Sequence, residues 1–177
     1  MTNINGTFGN DTLVGTNRND SLNGLSSDDR LNGRLGSDVL NGGAGNDTLK
    51  YSRDGIWPSG LTALNGGSPG APGTGESVSI SGLGRSFDQF IGGDGFDTLV
   101  GTALGDGLFL DDSLSSLPVG GNARARIAGI EVFQMGLGND IVDLTSPVTD
   151  YTIDTTMFGG SGNDTLWASS GDDTLYG

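Results

Sequence analysis

A nine-residue period constrains this chain more than any other feature. Over residues 6–50 five consecutive segments read GTFGNDTLV, GTNRNDSLN, GLSSDDRLN, GRLGSDVLN and GGAGNDTLK, each with Gly first, Asp sixth and Leu eighth. The frame returns over residues 83–109 as LGRSFDQFI, GGDGFDTLV and GTALGDGLF, and over residues 126–143 as RIAGIEVFQ and MGLGNDIVD. A last block, residues 150–176, reads DYTIDTTMF, GGSGNDTLW and ASSGDDTLY. Position eight is apolar throughout: Leu13, Leu22, Leu31, Leu40, Leu49, Phe90, Leu99, Leu108, Phe133, Val142, Met157, Leu166 and Leu175. Pro58, Pro69, Pro72, Pro118 and Pro147 all fall between these blocks, as expected where each strand residue must donate to a ladder.

Six small or turn-forming residues followed by three extended ones make a loop and a very short strand with one inward side chain. Such a strand cannot bury its face alone, so copies must stack, two nonads forming one flattened turn with parallel strands on each side. Stacking at about 4.8 Å per turn sets the sixth-position Asp of one nonad above that of the second nonad onward. The period therefore predicts a carboxylate ladder along each edge.

Only 33% of residues are hydrophobic and 34 are Gly, so the core must be narrow. Of 22 acidic residues all but Glu76 and Glu131 are Asp, in a chain of net charge -14. A short carboxylate in a tight loop suits a hard cation held close to the backbone. Eight basic residues cannot offset this field, which argues against nucleic acid. No apolar run approaches the roughly 18 residues that membrane insertion requires. With neither Cys nor His, disulfides, thiolate zinc sites and histidine triads are excluded.

The pattern resembles G-G-x-G-x-D-x-U-x, the repeat of the RTX family, or hemolysin-type calcium-binding repeats; the closest matches are residues 42–50, 92–100 and 159–167. The resemblance implies an all-β fold, a parallel β-roll or β-solenoid, with irregular loop insertions. It also implies several calcium ions bound through the Asp carboxylates and loop carbonyls. The metal-binding residues expected on this basis are Asp11, Asp20, Asp29, Asp38, Asp47, Asp88, Asp97, Asp106, Asp140, Asp164 and Asp173. Gly24, Gly33, Gly42, Ala44, Gly92 and Gly159 join them. The alternative, that these Asp residues only cap turns, does not by itself demand Asp at every ninth position.

If strand parity survives the interruptions, one edge carries Asp20, Asp38, Asp88, Asp106, Asp140 and Asp164. The other carries Asp11, Asp29, Asp47, Asp97, Glu131, Thr155 and Asp173. An extra strand hidden in an interruption would exchange the edges beyond it. Arg18, Ser27, Ser86 and Leu104 replace the fourth-position Gly, and uncharged Thr155 is expected to break the second edge.

The expected organisation is a single β-roll domain over residues 1–177, with repeats at 6–50, 83–109, 126–143 and 150–176 and insertions at 51–82, 110–125 and 144–149. The insertions read as flaps covering the coil. A competing reading makes Tyr51, Trp57, Asp111, Asp112, Arg124 and Arg126 a polysaccharide-modifying or glycan-binding patch, and self-stacking or glycan contact through an open end is a third class. Trp167 and Tyr176, at ninth positions, are expected to point outward into solvent. The N-terminus lacks the charged and apolar regions of a cleaved signal peptide. With the resemblance, this implies an extracellular or cell-surface, non-catalytic calcium-binding module.

Overall fold

The computed structural model describes residues 1–65, 76–111, 125–146 and 149–177. Among them there is no helix; nearly all strands lie in parallel sheets, as a β-roll requires. A seven-stranded sheet forms a continuous spine through Thr12–Val14, Arg30–Asn32, Thr48–Lys50, Thr98–Val100, Val132–Gln134, Thr156–Phe158 and Thr174–Tyr176. Position-eight residues pair directly along it, Leu13 with Leu31, Leu31 with Leu49, Leu49 with Leu99, then Phe133 and Met157.

The rest of the coil is not one sheet but two. An early face joins Thr2–Asn5, Asp20–Ser26, Val39–Ala44, Gln89–Asp94 and Ile127–Ala128. A late face joins Gly55–Ile56, Gly84–Arg85, Asp106–Phe109, Ile141–Asp143 and Thr165–Trp167. The first turns alternate between spine and early face and the last between spine and late face; the turns between them visit all three. The strand that makes this exchange lies inside the 83–109 repeat block and not in an interruption: Gly84–Arg85, which pairs with Asp106–Gly107 just before the chain enters the early face. Ile127 is a second departure: it is the second residue of its nonad, yet it pairs with Phe90 and is buried as an inward position.

Position eight forms the axial core. Leu22, Leu31, Leu40, Leu49, Phe90, Leu99, Phe133, Val142 and Met157 are buried, while Leu166 is partly covered and Leu175 is exposed. A second apolar cluster sits outside the late face. There an antiparallel hairpin, Thr62–Leu64 with Ser77–Ser79, packs Ala63 and Ile80 with Trp57 against Phe109, Ile141 and Trp167. Trp57 meets Phe109 edge to face at 5.6 Å, and Arg85 lies 4.4 Å from Trp57 and 4.5 Å from Phe87. Trp167 does leave the coil outward, but the hairpin covers it, so the expected solvent exposure is corrected; Tyr176 is exposed and stacks on Phe158. Pro58 lies outside any strand, and the other four prolines fall outside the described residues.

The axial core yields the first prediction. Leu31→Ala should cost about 2–5 kcal/mol as a large-to-small core change, and Thr48→Ala, on a half-buried seventh position, should cost far less. Chemical denaturation in saturating calcium measures both; the reverse ranking would contradict the register.

Candidate metal centre

Each loop ends in a carboxylate whose two oxygens have different tasks. Oδ1 accepts the backbone N–H of the sixth-position residue one turn earlier. On the spine edge Asp11 N–H donates to Asp29, Asp29 to Asp47 and Asp47 to Asp97, each at 2.7 Å. Asp97 N–H then donates to Glu131 Oε2 at 2.7 Å, so Glu131 continues the row. Thr155 donates both its N–H and its hydroxyl to Asp173 Oδ1. Between Glu131 and Thr155 no sixth-position side-chain bond continues the row among the described residues, and the backbone joins the turns there, Thr156 N–H donating to Glu131 C=O.

The other expected edge divides in two. Asp20 and Asp38 follow one another to Asp88 on the early face, at 2.7 and 2.9 Å. Asp106 does not follow Asp88: it opens a separate row on the late face and continues through Asp140 to Asp164. Past Asp88 the stack carries a guanidinium, Arg126, which donates to the carbonyls of Ser86 and Asp88.

Oδ2 sorts the expected site residues. Asp29, Asp38, Asp47, Asp97, Asp140, Asp164 and Asp173 each hold a buried Oδ2 with no hydrogen-bond partner among the described residues, and Asp106 holds such an Oδ1, 3.4 Å from Arg53. In Asp11 and Asp20 that oxygen is taken by Thr7 and Thr16, and in Asp88 by Ser52 and Ser86. A β-carbon on Gly24, Gly33, Gly42, Gly92 or Gly159 would collide with the Oδ2 of the Asp five residues later. Glycine is therefore dictated there by close approach of the carboxylate.

Loop carbonyls gather at the same place. The space above Gly24 is shared by Asp29 Oδ2 and the Gly42 carbonyl of the next turn, and that above Gly92 by Asp97 Oδ2 and the Gly129 carbonyl. From the turn before, the Leu25 carbonyl lies against Gly43 and that of Ser27 against Gly45. Ala44, between these glycines, pairs with Ser26 and Asp94 in register. The second and fourth residues of such loops are left-handed, at Gly43 (φ 112°) and Gly45 (φ 136°) and also at Leu25 and Ser27 (φ 84° and 74°). Among the described residues no three acidic side chains converge on one point. A cation would therefore need carboxylates and carbonyls together, the oxygen donor set a hard divalent ion takes.

Burial and mutual repulsion mark the electrostatics. Desolvation first, and then neighbouring carboxylates, push Asp38, Asp97 and Asp140 up to about 6. Asp20 goes the other way, to about 2, because Thr16 donates to it from backbone and side chain.

A second relay escaped the sequence reading. Fifth-position side chains accept the fifth-position N–H of the next turn, as Asp28 does from Asn46 and Asn46 from Phe96. The recurrence of Asn and Asp at position five was its signal. Asp54, in the first insertion, serves likewise for the amides of Gly36 and Phe87. The competing glycan patch does not assemble on a surface: Tyr51, Trp57 and Asp111 are buried, and Arg126 is engaged as above. Asp112 and Arg124 lie outside the described residues.

A comparison with curated proteins gives no match. The family model of the RTX calcium-binding nonapeptide repeat matches in four copies, at residues 5–40, 14–49, 84–103 and 153–177, together just over half of the chain.

The raised carboxylates predict a pH response in calcium-stripped protein. Their folded values of about 6 exceed the unfolded value of about 4, so between these the folded chain binds more protons and its stability falls as pH rises. The folded fraction followed by circular dichroism should therefore fall from about pH 4.5 to 7 without calcium, leaving the chain largely unfolded at neutral pH. With saturating calcium it should rise instead, since protons compete for the same oxygens. A flat profile without calcium would contradict the burial of these groups.

Proposed function

Because the chain belongs to the RTX calcium-binding nonapeptide repeat family, we propose that it is a non-catalytic structural module of a secreted or cell-surface protein, and that its roll forms as calcium binds. Calcium binding itself comes with the family. The residues that hold the ions are Asp29, Asp38, Asp47, Asp97, Asp140 and Asp164, with carbonyls such as those of Leu25, Ser27 and Gly42 from adjoining turns.

One observation carries this reading: each of these six aspartates keeps a buried Oδ2 without a hydrogen-bond partner among the described residues. A buried polar group left unsatisfied costs about 1–3 kcal/mol, and more when charged. Six together rival the roughly 5–15 kcal/mol of net stability that a folded domain has. Neighbouring carboxylates about 4.8 Å apart add a repulsion of about 0.9 kcal/mol in water and about 3.5 kcal/mol at an effective dielectric of 20. A bound divalent ion supplies the opposing charge and accepts these oxygens, so binding free energy becomes folding free energy. Affinity in the range of extracellular modules, about 0.1–1 mM, would leave the chain unfolded in a cell and fold it outside.

The test follows far-ultraviolet circular dichroism and amide dispersion in excess chelator and then with calcium restored. A largely unfolded chain that folds with a midpoint of about 0.1–1 mM calcium is expected. Magnesium should substitute poorly because it demands octahedral geometry and keeps its waters. Asp47→Asn should raise the calcium midpoint, and Asp94→Asn, an equal charge change on an exposed side chain, should hardly move it. A folded, protease-resistant chain in chelator would overturn the proposal.

A further inference from the structure

Nine of the loops are of two kinds, and in these the second residue of the nonad decides which. In six of them that residue is left-handed: Leu25 at 84°, Arg34 at 70°, Gly43 at 112°, Gly93 at 118°, Gly136 at 100° and Gly160 at 101°. Their aspartates, in order, are Asp29, Asp38, Asp47, Asp97, Asp140 and Asp164, and each keeps its buried Oδ2 unpartnered among the described residues. In three others the second residue is threonine. Thr7 donates its N–H (2.6 Å) and hydroxyl (2.9 Å) to Asp11 Oδ2, and Thr16 does the same to Asp20 Oδ2 at 2.6 and 2.7 Å. Thr102 donates its N–H to Asp106 Oδ2 at 2.7 Å.

The cause is local. A β-branched residue resists positive φ, so threonine keeps the second peptide out of the left-handed conformation. None of the three has a positive φ. The amide then faces the carboxylate, and in two loops the hydroxyl joins it.

The position of these loops is as informative as their chemistry. Asp11 is the first carboxylate of the spine row, Asp20 the first of the early-face row and Asp106 the first of the late-face row. Every row thus begins on a threonine-closed loop.

Resting on the calcium reading above, we propose that Thr7, Thr16 and Thr102 are built-in substitutes for the ion. They turn the first loop of each row into a metal-free cap, so Asp11, Asp20 and Asp106 brace turns and calcium is confined to the left-handed loops. The ion-dependent turns of each row stack on these threonine-closed loops.

Native mass spectrometry of the full chain in calcium counts bound ions directly. Asp20→Asn is expected to keep the wild-type count, and Asp47→Asn to lose at least one ion. Should Asp20→Asn fail to fold, the double variant Thr16→Gly/Arg18→Gly decides, since it gives this loop the glycines of residues 42–47. A gain of an ion supports the cap, and an unchanged count overturns it. Loss of an ion in Asp20→Asn also overturns it, with calcium binding by the wild type intact. A wild type that binds no calcium would refute the functional reading instead.

Discussion

The bond from each aspartate carboxylate to the backbone amide of the aspartate one turn earlier is the interaction on which the roll depends. It fixes rise and register together, because Oδ1 of one turn must lie under the amide of the turn before. It also creates the chemistry, since binding one oxygen to the backbone leaves the other beside its own glycine. A short side chain suits this geometry, which explains the preference for Asp; Glu131 still reaches Asp97 N–H with its longer arm. The resulting rows place like charges one turn apart in a partly desolvated setting, so the same bond that orders the loops makes them electrostatically costly without a counterion.

What was legible in the sequence is what the period encodes locally. The inward residue, the loop and the spine row through Asp11, Asp29, Asp47 and Asp97 follow from position within a nonad. The row also survives the first two interruptions. Its hydrogen-bonded partners lie 18 residues apart within a block, but 50 and 34 apart where insertions loop out between turns. The third face was not legible, because Gly84–Arg85 becomes a strand through partners far along the chain, residues 55–56 and 106–107. Ile127 was misframed for a related reason: its alignment with Phe90 is set by stacking, not by spacing from Glu131. The threonines at position two were readable all along, but their meaning needed the φ angles of the loops that lack them.

The first insertion shows how a repeat protein covers an awkward surface. Ninth positions point out of the coil, and on the late face Trp167 would be a large apolar group in water. The hairpin, with Trp57, Ala63 and Ile80, buries it beside Phe109 and Ile141. Burying a large apolar side chain stabilises by about 1.5–3 kcal/mol, so the insertion contributes a small core of its own.

Changing faces midway leaves backbone groups without ladder partners, and the chain answers each with a long side chain. Where the late face begins, Tyr51 is buried in the axial core and donates its hydroxyl to the carbonyls of Gly84 and Gly107. Where the aspartate row of the early face ends, Arg126 takes the carbonyls of Ser86 and Asp88. Beyond its last strand, the Tyr151 hydroxyl bonds both the N–H and the C=O of Ile130. Burial raises both tyrosine pKa values, so the phenols stay protonated and able to donate. An unpartnered buried backbone group costs about as much as a lost hydrogen bond, so a roll that exchanges one face for another needs such caps at each seam. On the proposal above, the threonine-closed loops meet a matching need at the first loop of each aspartate row. In both cases a termination that an uninterrupted repeat cannot supply is met by one residue that breaks its pattern.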